Sequence, residues 1–418
     1  MYKSFFQILR IFLTINFKLC KNNSQKPSIL YGCLDVDRYA IKDGKFFSPI
    51  LASIHGYLDS DFEVVNITQS VSKFYSTEIL NGHINLNFLL IIDILVKPFF
   101  FIIGRRKKKS LKVSIYRKIL LKNKVKLVVS IQPPHALCIA AHDLGIKVAE
   151  PMHGMNLAVS DKIFLSQFDG VEDYLLPDYF IAFDDQTYQT LNIILKNRKA
   201  EVILMPHPWH CECLKTESAL IDKSQLVSLS NLNSDKVILL SLQWGYDGER
   251  EILNNIIPNG ILHDSIIDVI KNHKNIFWLI RLHPIQLKRR FYQRHRKFIT
   301  DLCEKFENTE FVVASSAPLP LLLKQVNGHL TMSSGSAGEA ALMNIPSLML
   351  CPTLREGGAI CGSFDHPSIE NLISFSEPNS SNIYNWISSL NEFSSPYSDN
   401  HVNSRKIKEI LDYLEKKN

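Results

Sequence analysis

From residue 126 onward, short apolar runs alternate with amphipathic stretches in a regular order. Runs at 127–131, 147–151, 178–183 and 201–205 predict strands. Helical spacing over 134–144 and 186–196 predicts helices between them. A polar stretch with several Ser and Asn, about 214–236, breaks the pattern and predicts a linker. The alternation then resumes, with strands at 237–242, 276–282, 311–314, 329–332 and 347–351 and helices at 263–272, 286–306, 319–326 and 337–344. Such an order predicts an α/β fold of two units with parallel sheets and right-handed crossovers. The expected divisions are 1–225, 235–400 and a charged last helix within 401–418, packed on the surface and back across the first unit.

The first 120 residues are less regular. Residues 1–21 place Phe5, Ile8, Ile11, Phe12 and Ile15 at helical spacing with basic residues between them. Such a segment fits a helix on a membrane surface and a helix packed on the body about equally. Residues 28–34 predict a strand. Residues 88–104 are apolar except Asp93, Lys97 and Pro98, and the cations Arg105–Lys109 follow at once. A spanning helix needs about 20 cleaner residues. An interfacial insertion of Phe99, Phe100 and Phe101, with the cations on anionic headgroups at roughly 1 kcal/mol each, is the favoured reading. A core helix followed by a solvated basic loop is the other.

Composition narrows the function classes. At 418 residues, 46% apolar and 21% charged, the chain is that of an ordinary globular protein with ample core. A net charge of +6 is too mild to argue for nucleic acid, which is not an expected partner. Eight cysteines are scattered without a paired framework, and residues 1–21 lack a cleavage site. A cytoplasmic setting, peripheral at the inner membrane face, is expected.

The densest chemical pattern is Ser333-Ser334-Gly335-Ser336, between a strand and a helix. Small side chains let a ligand approach the backbone, and the amides that open a helix attract a diphosphate. Glu339 is either the acid of a capping box or an acceptor for a ribose diol. His283 stands at a strand end before Pro284, two residues after Arg281, and both are suited to phosphate. Gln243 closes the strand at 237–242. For a proton acceptor the best-placed group is His153, with Glu150, Asp143 and Asp247 as alternatives. The run His207-Pro-Trp-His-Cys-Glu-Cys213 holds four N or S donors without the paired spacing of a zinc site, so packing or an acceptor loop is expected there. The pairs Asp35/Asp37 and Asp59/Asp61 are expected to bind no metal, and no cofactor is expected. The loop 353–362 fits a donor-sugar contact and a plain surface connection equally.

Ser-Gly-Ser-Ala-Gly-Glu (334–339) followed by Asn344-Ile-Pro resembles the donor half of GT-B glycosyltransferases, among them bacterial enzymes of capsule and O-antigen synthesis. Sugar-nucleotide 2-epimerases share this turn. Arg281-Leu-His-Pro with Ser333-Ser334 resembles the "HP" and "SS" pair of bacterial sialyl-, Kdo- and glycerophosphotransferases. Glu150-Pro-Met-His-Gly-Met and Leu176-Pro-Asp-Tyr-Phe are similar to the Glu-x-Gln-His-Gly and Pro-Asp-Tyr-Phe elements of surface-polysaccharide transferases, except that Met152 replaces the usual Gln. The resemblance implies two Rossmann-like domains facing a cleft, the first (1–225) for the acceptor and the second (235–400) for a nucleotide-sugar donor. It also implies donor contacts from Gln243, Arg281, His283, Ser333, Ser334, Gly335, Ser336 and Glu339, a base at His153, and a lipid-linked or growing polysaccharide as acceptor. A CMP-linked donor, a free epimerisation and a non-catalytic membrane-docked role are the alternatives.

Overall fold

The computed structural model describes residues 26–34, 37–57, 62–69, 79–82, 84–86, 89, 105–215, 217–221, 234–248, 251–288, 290–390 and 404–416. Asp35, the pair Asp59/Asp61, residues 1–21 and the Phe99–Phe101 insertion lie outside them. The first sheet is seven-stranded and parallel, in the order Ile84–Asn85, Glu63–Gln69, Ser28–Leu34, Val125–Ser130, Lys147–Pro151, Tyr179–Ala182, Glu201–Leu204. The second is six-stranded and parallel, in the order Thr309–Glu310, Ile276–Arg281, Lys236–Ser241, Gly328–Thr331, Ser347–Met349, Ile373–Phe375.

Both sheets are covered on both faces. Leu30, Val128 and Val148 enter one core while Ile29, Val129 and Ala149 enter another on the opposite face. That is why these strands are apolar runs rather than alternations. The last helix, Ser404–Lys416, buries Ile407, Leu411 and Leu414 in the core of the first domain. Its Tyr413 hydroxyl donates to Glu201 at 3.1 Å.

Several elements differ from the sequence pattern. The strand expected at 311–314 is a helix, Val312–Ser316, because the Glu310 carboxylate accepts from the amides of Val313 (2.7 Å) and Ala314 (3.0 Å) and so caps it. The helix expected over 286–306 is split into Pro284–Lys288 and Gln293–Lys305 by a 3₁₀ turn at Arg290–Tyr292. The cations Arg105–Lys109 open a helix, Arg105–Lys122, rather than a loop. Among the described residues no helix is long and apolar enough to cross a membrane.

Candidate active site

The carboxyl ends of both sheets face a cavity of about 290 Å³ between the domains. Gln132, Glu150, Met152 and His153 line one wall, and Gln243, Ser333 and Gly335 the other. Ile360, Ser363 and Phe364 close one side.

On the first wall, the chain leaves the strand Lys147–Pro151 and turns at once, which puts Glu150 and His153 at the strand's ligand-facing end. Burial pushes the Glu150 carboxyl up to about 8, against a hydrogen bond from the Gln132 backbone, so it is protonated at neutral pH. His153 is 58% exposed, and its Nδ1 lies 3.3 Å from Oδ1 of the buried Asp37. A carboxylate on Nδ1 leaves Nε2 as the face offered to the cavity. Gln132 was missed in the sequence and Asp37 was weighed there only as a metal ligand, because only the parallel ordering of the sheet brings them beside Glu150 and His153.

The second wall is held by side chains that fix the turn. The Ser333 amide donates to Gln243 Oε1 at 2.6 Å, and the Ser333 hydroxyl lies 3.1 Å from the Tyr246 hydroxyl. The Ser334 hydroxyl accepts from the Ser336 amide at 3.3 Å. A side chain at Gly335 would meet nothing within 4 Å, so this backbone is open to a ligand. Ser336 turns inward. Its hydroxyl lies 3.2 Å from Nε2 of the fully buried His329, whose pKa burial lowers to about 3.

Arg281 and His283, expected as donor contacts, stand at the end of the strand Ile276–Arg281 and are not among the residues that line this cavity. Arg281 donates to the carbonyls of Ala314 (2.6 Å) and Ala317 (2.7 Å). Burial lowers its pKa, while the charge of Glu339 works to raise it. His283 Nδ1 accepts from the Ile285 amide at 3.2 Å and so caps the helix Pro284–Lys288. Asp247 Oδ2 is paired at 3.1 Å with Nε2 of the buried His295, in the second domain.

Glu339 makes no capping box, since its carboxylate reaches across the domain boundary to Nε2 of His210 at 2.9 Å. Burial works to raise its pKa, but the His210 hydrogen bond and the charges of His210, His207 and Arg281 leave it below the usual value. The helix Ser336–Leu342 sits tight on the first domain. A Cβ at Gly338 would lie 2.1 Å from Asn156 Oδ1. The loop left open by the sequence, 353–362, begins a strap between the domains. Gln186 Nε2 donates to the Gly362 carbonyl at 2.8 Å, Ser160 Oγ to the Cys361 carbonyl at 2.6 Å, and the Phe364 amide to the Asn156 carbonyl at 2.9 Å.

No protein-family model and no curated protein matches the chain. Solved structures do. The UDP-GlcNAc 2-epimerase of Neisseria meningitidis, bound to UDP-GlcNAc, aligns over 94% of this chain and 100% of its own, with a TM-score of 0.53 at 15% identity. The Methanocaldococcus jannaschii enzyme, in complex with UDP-GlcNAc and UDP, aligns over 92% and 99%, with 0.53 at 16%. The Rickettsia bellii enzyme aligns over 94% and 98%, with 0.51 at 15%. The chain has the GT-B fold. At these identities the likeness concerns the fold, and the GT-B cleft of this chain is the cavity just described.

Proposed function

We propose that this GT-B chain is an enzyme acting on a nucleoside-diphosphate sugar. The observation that carries the reading is one cavity bounded by the open Ser333–Gly335 backbone on one side and by Glu150 and the His153–Asp37 pair on the other. The diphosphate lies on the turn, where backbone amides and the helix dipole meet its charge. His283 and Arg281 add a donor and positive charge from the end of the strand Ile276–Arg281, and Oε1 of Glu339, the oxygen not paired with His210, offers an acceptor for the ribose. The sugar then projects toward Glu150 and His153.

Two chemistries use this arrangement. In glycosyl transfer, His153 Nε2 takes the proton of an acceptor hydroxyl whose oxygen bonds to the anomeric carbon, and the pair of the broken C–O bond leaves on the diphosphate. The exposure of His153 favours this, since an acceptor can reach it. The acceptor would be a lipid-linked or growing polysaccharide at the inner membrane face. In the second reading His153 and the protonated Glu150 serve as base and acid for inversion at a sugar carbon with no acceptor. The whole-length likeness to UDP-GlcNAc 2-epimerases gives this reading the greater outside support.

Incubating the protein with UDP-GlcNAc in D₂O separates them. Epimerisation yields a diastereomeric UDP-sugar carrying deuterium at the inverted carbon. Unchanged UDP-GlcNAc, with sugar transferred once a lipid-linked acceptor is added, supports transfer. Neither product with any nucleotide sugar contradicts both.

A further inference from the structure

The geometry points to a divalent-metal site between the domains, formed by His207 and His210 of the first and Glu339 of the second. One ligand atom from each, all within 4.8 Å of one another, is set for a single cation. The helix Pro208–Leu214 fixes the two imidazoles. His207 caps its start, His210 lies one turn in, and their rings are 4.6 Å apart. Phe183 packs on His207 at 4.7 Å from the other side. Both histidines are buried, and Glu339 Oε2 already lies 2.9 Å from His210 Nε2.

Two histidines and one carboxylate are a ligand set for zinc and its neighbours, with a fourth position left for water or substrate. Tetrahedral bonds of about 2.0–2.2 Å place ligand atoms roughly 3.3–3.6 Å apart, wider than the 2.9 Å between His210 and Glu339 and within the 4.8 Å that holds all three atoms, so small rotations of His207 and of the Glu339 carboxylate complete the set. The cap contact from the His210 amide to His207 Nδ1 is long, 3.4 Å, and restrains that rotation little. Arg281 is the cation nearest in effect, and its guanidinium is engaged by the Ala314 and Ala317 carbonyls. A metal here would tie the helix Ser336–Leu342 to the first domain and hold the cleft closed.

The test uses the full chain, stripped with chelator and titrated with Zn²⁺ alone, so it reads independently of any nucleotide. The expected result is one equivalent bound and a raised thermal midpoint, with affinity at least roughly tenfold weaker in His207→Gln and in His210→Gln. Should either variant fail to fold, Co²⁺ added to the wild type decides. Visible d–d bands of a four-coordinate nitrogen and oxygen site support the assignment. An intense thiolate charge-transfer band would move the metal to Cys211 or Cys213 and overturn it. No binding, or equal binding in the wild type and both variants, would overturn it too.

Discussion

The two walls of the cleft are built in opposite ways. The second-domain wall is nearly continuous in sequence: Ser333 through Glu339 form one turn and the start of one helix. The first-domain wall gathers Asp37, Gln132, Glu150 and His153 from three successive crossings of a parallel sheet. A site made of local backbone is suited to holding a fixed group such as a diphosphate. One made of side chains from separate strands can set a base against an acid. On this account the second wall binds and the first wall reacts, and substitutions should divide accordingly.

The largest expected effect is on the reacting wall. His153→Asn should lower kcat by about 10²–10⁴-fold, with nucleotide affinity unchanged, as steady-state kinetics beside nucleotide titration would show. A matching loss of affinity would break the division. Next comes the contact between walls. Gly338→Val puts a branched side chain where Asn156 Oδ1 lies 2.1 Å from a bare Cβ. Misplacing the turn helix by about 1 Å should cost roughly 10²-fold in kcat/KM, with the chain still folded by circular dichroism. Glu339→Ala leaves buried His210 without its acceptor and should cost about 1–3 kcal/mol in urea unfolding.

A further effect, on stability rather than on activity, is a pH slope. Glu150 holds its proton to about pH 8 in the folded chain and releases it near 4.5 when unfolded. The unfolded state therefore sheds the proton first, and stability from this group is greatest below pH 4.5 and falls as pH rises toward 8. Glu150→Gln should flatten that fall, seen by comparing urea midpoints at pH 5 and pH 8.

Most strands of both sheets and the small-residue turn were legible because each is written in contiguous residues: apolar runs for buried strands, a small-residue turn before a helix. What was illegible is tertiary. The pairing of His210 with Glu339 joins residues more than a hundred positions apart, so nothing in the local run announces it. Ser336 seemed one more phosphate donor, yet the buried His329 draws its hydroxyl inward. Glu310 converted an apolar stretch into a helix through a cap that propensity alone does not disclose.

The most direct test of the central claim is a thermal-shift panel of UDP, GDP, CDP, CMP and dTDP on the wild type and on His283→Ala. A ligand at 100 times its dissociation constant stabilises by about 2.7 kcal/mol, a visible rise in midpoint. One nucleoside diphosphate is expected to raise the wild-type midpoint, and His283→Ala to remove most of the rise. No response to any nucleotide at saturating concentration would contradict the claim.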